Sequence, residues 1–154
     1  MTSAELERHL LDAIPLARAM ALRIDGHSDG VLRMTAPLGP NINDKGCAFG
    51  GSLASLMTLA AWSTVYLRLG EAARGAEIYV QDSELRYLAP VWEDIVIEAR
   101  LQVDDGGDEF AAAYAARGRA RVVAEAHCRC ADGTLATSML SRFVAIDPAR
   151  RLPR

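Results

Sequence analysis

Cysteine is scarce in this chain, neither sign of charge dominates, and no stretch is repetitive, linker-like or of low complexity. Each shortage excludes something. Three cysteines among 154 residues cannot build a disulfide framework, and no basic, apolar, small-residue leader opens the sequence. A reduced, cytoplasmic protein is therefore expected. Lys and Arg number 17 against 20 Asp and Glu, a formal net charge of −3, which provides no electrostatic footprint for gripping nucleic acid. What is plentiful is apolar residue, 51% of the chain, enough for one substantial core. We expect a single domain over residues 1–147 and a frayed tail over 148–154.

From Gly46 to Leu67 the sequence carries no charge at all, over about the length of a membrane span. Ser52, Ser55, Thr58, Ser63 and Thr64 lie inside this run, and the flanking segments are amphipathic strands in need of a partner surface. The run therefore predicts a helix apolar on nearly every side because protein surrounds it, and no membrane partner. Before it, Thr2 and Glu5 have capping-box spacing and Leu6, Leu10 and Ile14 form one face of a short helix that Pro15 stops. Met20, Leu22 and Ile24, then Leu32 and Met34, alternate with a period of two around a turn over residues 25–30. After the breaks at Pro37, Gly39 and Pro40, a polar loop leads into the long helix, predicted from about Ala48 to Leu69. Beyond Ala76 strands dominate, at 95–103, 120–130 and 134–146, with a short extra helix over Asp108 to Arg117 ending at Gly118. The sum is an α+β domain: one long central helix, a mostly antiparallel sheet of about six strands wrapped around it, and two short extra helices.

Two places are chemically unusual. The loop into the central helix reads Asn41, Asn43, Asp44, Lys45, Gly46, then Phe49, Gly50, Gly51 and Ser52. Unpaired amides at a helix start form a donor array of positive potential, and paired glycines let a substrate oxygen come close, which is equipment for holding an oxyanion. The glycine spacing of Gly46 and Gly51 also fits a Walker loop, but Ser52 and Leu53 stand where its lysine and hydroxyl belong. His127, Cys128 and Cys130 do not make a metal site, because in a strand the cysteines face one way and the histidine the other. His9 and His27 lie near no strained nucleophile turn and read as surface histidines. The second unusual place is Tyr79 to Pro90, where Asp82, Ser83, Glu84 and Arg86 break the alternation and polar groups fall on both faces. Such a strand lines a site or an interface, or runs along an edge.

Together these segments, N-I-N-D-K-G-C-A-F-G-G-S-L and D-S-E-L-R-Y-L-A-P, resemble the hotdog-fold thioesterase superfamily. The resemblance is nearest to the thioesterase domain that follows an acetyltransferase domain in some bacterial proteins, and it extends from Ile14 to Ile146. It implies a hotdog fold, an acyl-CoA or acyl-carrier thioester substrate, no cofactor beyond the coenzyme A of that substrate, and a homodimer or dimer of dimers with sites at the subunit interface. In the phenylacetyl-CoA type the loop follows Asn-x-x-Gly-x-x-His-Gly-Gly; Asn43, Gly46, Gly50 and Gly51 match, while Phe49 replaces the histidine. The acid that such enzymes carry nine residues later on the helix is replaced by Thr58. The expected catalytic set is thus Asn43, Gly51 and a carboxylate from Asp44 or Asp82, with Asp44 preferred. Phe49, Gly50, Ser52, Thr58, Ser83 and Tyr87 are expected to contact substrate. A hydratase or dehydratase is disfavoured by the loss of the histidine, and an acyl-binding module without turnover remains the alternative.

Overall fold

The computed structural model describes residues 1–150. Helix α1 (Ser3–Ala13) opens with the predicted capping box: the Glu5 amide donates to Thr2 Oγ1 at 3.2 Å and the Thr2 amide donates to the Glu5 carboxylate at 2.6 Å. Pro15 does more than stop this helix. It occupies the first position of a second short helix, α2 (Pro15–Ala19), where a missing N–H costs nothing. The extra turn moves the following strand: instead of starting near Met20, β1 covers Arg23–Ser28, Met20 closes α2, and Ala21 takes a left-handed φ of 54°. A tight turn at Asp29 and Gly30 leads into β2 (Val31–Ala36), antiparallel to β1.

The uncharged run from Gly50 on forms α3 (Gly50–Leu69), which carries Arg68 in its last turn. It starts two residues later than Ala48 because the amides there are taken elsewhere: Ala48 donates to the Val91 carbonyl at 2.8 Å and Phe49 to the Asn41 carbonyl at 2.7 Å. Its hydroxyls are reconciled with burial by back-bonding. Ser55, Thr58 and Ser63 each donate to the carbonyl four residues earlier, and Thr64 donates to that of Ala61. Among the described residues no helix is long and apolar enough to cross a membrane.

The remaining elements are β3 (Glu77–Tyr87), β4 (Ile95–Leu101), α4 (Asp108–Arg117), β5 (Arg119–Arg129) and β6 (Leu135–Ile146). All strands join one antiparallel sheet in the order β1-β2-β4-β5-β6-β3, and α3 packs on its inner face, as expected for a sheet wrapped around a helix. The predicted extra helix α4 carries Asp108 and Glu109 in its first turn and ends on Gly118, whose φ of 67° suits a residue without a side chain. Pro148–Arg150 form a short 3-10 turn in which Arg150 donates to the carbonyls of Ala115 and Ala116; the rest of the expected tail, 151–154, lies outside the described residues.

Alanine recurs among the buried residues of both helix and sheet. Ala60 and Ala61 on α3 are fully buried, as are Ala124 and Ala126 on β5, Ala136 and Ala145 on β6, and nearly so Ala99 on β4. Small side chains on both surfaces let the helix sit close to the strands, and Met57, Ile97 and Phe143 fill the remaining space. The outer face is wet and charged, with Arg33 near both Asp25 and Glu98, Arg100 on Glu125 and Arg142 on Asp82. His9 is exposed as expected, stacked on Tyr66 and Trp62 with ring centroids 5.3 and 6.1 Å away.

This close approach generates a prediction. Ala126→Leu, which adds bulk where helix and sheet already touch, is expected to lower unfolding stability by about 1–3 kcal/mol. Chemical denaturation would show a lower midpoint with an unchanged slope; an unchanged midpoint would mean the space under α3 is looser than its burial indicates.

Candidate active site

The loop between β2 and α3 is built around two asparagines. Asn41 is buried, and its side-chain nitrogen donates to the carbonyls of Met20 at 2.9 Å and Pro37 at 2.8 Å, tying the loop to the start of the chain. Its own carbonyl takes the Phe49 amide, so Asn41 also sets where α3 begins. Asn43 works inside the loop: its side-chain oxygen accepts the amides of Lys45 at 2.8 Å and Cys47 at 3.3 Å, and its side-chain nitrogen lies 3.1 Å from Cys47 Sγ. Gly46 closes this turn at a φ of 88°, which a side chain would strain.

The loop delivers the chain to the helix start with donors uncovered. Leu53 is the first residue whose amide returns to this turn, bonding the Phe49 carbonyl at 3.0 Å, and the amides of Gly50, Gly51 and Ser52 make no hydrogen bond among the described residues. Phe49 offers no side-chain cap, which leaves those amides open to an incoming acceptor. Two aromatic rings flank the glycines. The Phe49 ring, half exposed, lies where any side chain at Gly51 would have to go, and the Tyr87 ring lies 3.4 Å from the corresponding position at Gly50. Tyr87 Oη also donates to the Gly50 carbonyl at 2.9 Å. Ile42, Leu88 and Trp92 are further large apolar side chains exposed on the residues around this loop, and the Trp92 ring lies 4.0 Å from the side-chain position of Gly46.

Of the residues singled out from sequence, the fold thus gathers Phe49, Gly50, Gly51, Ser52 and Tyr87 at one point. The others lie apart. Thr58 is seven residues along α3 from Gly51, about 10 Å at a helical rise, with its hydroxyl bonded to the Ala54 carbonyl and 3.8 Å from Met139 Sδ. Ser83 lies on the inner face of β3, bonded to Ser141 at 2.7 Å, four residues from Tyr87 and hence about 13 Å along the strand. Its neighbour Asp82 points to the outer face, where it forms a two-pronged ion pair with Arg142 that holds its carboxyl below the usual range. A carboxylate so stabilised is a weak base. Asp44 is on the loop itself, 80% exposed and 2.8 Å from Lys45 Nζ.

Two roles were not foreseen. Asn41 is the anchor of the loop and not merely one of its polar residues; a lone asparagine between proline and an apolar residue does not announce its partners twenty positions away. Thr137 and Ser141 put polar groups on the buried face of β6, and their period with Met139 and Phe143 could have shown it. Thr137 Oγ1 and Asn41 Oδ1 are buried without a hydrogen-bond partner among the described residues.

The sequence model of the family described as Putative thioesterase (yiiD_Cterm) matches residues 3–147. The chain belongs to this family. Solved structures agree. The putative thioesterase from Shewanella oneidensis is 29% identical, with a TM-score of 0.83 over 94% of this chain and 96% of that one. A protein of unknown function from Chlorobaculum tepidum TLS is 27% identical, with a TM-score of 0.85 over 94% of both chains. A Haemophilus influenzae thioesterase shares 15% identity, with a TM-score of 0.77 over 96% of this chain and 92% of that one, a likeness of fold alone. The architecture is the hotdog fold, and family membership supports thioester hydrolysis in general.

The packing of Phe49 over Gly51 yields a prediction. In Gly51→Val the new side chain must displace the half-exposed Phe49 ring and then occupies the approach to the amides. Thermal unfolding is expected to change little while thioester turnover is lost; collapse of folding instead would assign the glycine a packing role only.

Proposed function

We propose that this protein hydrolyses an acyl thioester carried on coenzyme A or an acyl carrier protein, and does so as a homodimer. The observation that carries the reading is the helix start of a thioesterase-family chain, with three open amides flanked by two aromatic rings and a rim of exposed apolar side chains. The carbonyl oxygen of the thioester accepts from the Gly51 amide and its neighbours, which draws charge onto the oxygen as water adds to the carbon. A carboxylate removes the water proton, the carbon–sulfur bond breaks, and the thiol leaves with that proton, giving a free acid and a free thiol. Asp44 is the better candidate for this base, because it belongs to the loop that builds the site, whereas Asp82 is engaged by Arg142 on the opposite face of the sheet. Phe49 in place of a histidine and Thr58 in place of an acid leave the loop as the source of the base.

The dimer is supported by β3. Among the described residues it is an edge of the sheet, 11 residues long and paired with β6 alone, and none of its residues is buried on either face. Tyr79, Val80 and Tyr87 stand exposed along it, and Leu88 just beyond. A long uncovered edge with apolar side chains is a template for another strand. A second copy pairing there would also close the inner face beside Ser83 and Thr58, giving those residues the substrate contact expected of them.

Free-thiol detection over a panel of acyl-CoAs tests the activity. Asp44→Asn is expected to reduce turnover by about 10² to 10⁴ and Asp82→Asn far less, as loss of a general base does. The reverse order would move the base to β3. No turnover above background by the unaltered protein, with acyl-CoA binding retained in calorimetry, would replace hydrolysis by acyl binding. Light scattering is expected to give twice the 16.6 kDa chain mass; a monomer would remove the shared site.

A further inference from the structure

Tyr87 is the last residue of the edge strand β3, yet its hydroxyl reaches across to the first residue of α3 and donates to the Gly50 carbonyl at 2.9 Å. That carbonyl and the Gly51 N–H are the two ends of a single planar peptide group. Fixing one end therefore fixes the other. Gly50 and Gly51 are adjacent glycines in the first turn of α3 and add little steric restraint of their own, so the Tyr87 hydroxyl is a second donor on a carbonyl that the helix also uses. A hydrogen bond accepted at the carbonyl also polarises the peptide, which strengthens its N–H as a donor.

Resting on the reading of this helix start as the oxyanion site, we infer that Tyr87 is a positioning residue for thioester hydrolysis. Its hydroxyl orients and strengthens the Gly51 amide through the Gly50 carbonyl, and it does so without touching the substrate. This differs from the substrate-contacting role expected of Tyr87 from sequence. The ring and the hydroxyl have separable duties: the ring, with carbons 3.4 and 3.5 Å from the side-chain position of Gly50, packs against the glycine, while the hydroxyl alone reaches the carbonyl. The inference also connects β3, the uncovered edge, to the donor array by one hydrogen bond.

Tyr87→Phe keeps the ring and deletes the hydroxyl, so it separates the two duties. The expected result is a fall in kcat of about tenfold, a fraction of what loss of an oxyanion donor itself costs, with KM changed less than about twofold. In proton–nitrogen correlation spectra of the unliganded variant, the Gly51 amide proton should move upfield while resonances far from the helix start stay in place. Gly50→Ala restricts the same peptide by another route and places its methyl group in ordinary contact with the Tyr87 ring. Added to Gly50→Ala, Tyr87→Phe should therefore cost less than it does alone. An unchanged kcat would overturn the inference, as would a rise in KM at constant kcat, which marks a substrate contact. If the unaltered protein hydrolyses no thioester, the proposed function fails, and the Gly51 resonance still decides whether Tyr87 governs that amide: an unmoved signal rejects it and a shifted one supports it.

Discussion

A helix of 20 residues whose one charged side chain is Arg68 in its last turn is a liability in water, and the burial of α3 is the constraint on which this molecule rests. The sheet covers the buried side of α3 with an inner face that is mostly apolar along β2, β4, β5 and β6, Thr137 and Ser141 of β6 being the polar exceptions, while Ser52, Ser55 and Thr58 of α3 stay half-buried. The close seating also explains the hydroxyls. On α3, Ser55, Thr58, Ser63 and Thr64 each donate back to a carbonyl of their own helix, so none of these hydroxyls is left without an acceptor. What cannot be enclosed is the helix start, and there the loop held by Asn41 delivers open amides to the surface.

The same enclosure decides what the sequence makes legible. Periodicity is imposed by burial, so the wrapped helix, the alternating strands β4, β5 and β6 and the capping box at Thr2 can all be read from spacing. The shift of β1 could not, because Pro15 signals both the end of a helix and the beginning of one, and only packing of Ala17 and Met20 selects the second. The start of α3 was displaced by two residues for a comparable reason, since the amides of Ala48 and Phe49 are claimed by partners remote in sequence.

The candidate site divides in the same way. The glycine pair and its flanking Phe49 and Tyr87 are contiguous in space because a loop and a strand end meet there, and both segments were conspicuous in the sequence. Direction was not legible. Asp82 and Ser83 are neighbours in the chain and point to opposite faces of the sheet, and Asn43, matched to a motif asparagine, has its side chain engaged in holding the loop turn. Composition can nominate a carboxylate or an amide, but hydrogen-bond partners decide which of its atoms remain available.

The alanine seam between helix and sheet also governs how this sequence can drift. Ala60, Ala124, Ala126 and Ala145 have almost nowhere to go, since larger side chains collide and only glycine is smaller. The outer face has no such restriction, because its arginine and carboxylate pairs stand in solvent, where each contributes little to folding. Over generations the inner surface is thus held nearly fixed while the outer charges are free to be exchanged, inverted or lost. One scaffold can in this way present different electrostatic exteriors to different cellular neighbours without disturbing the helix that it encloses.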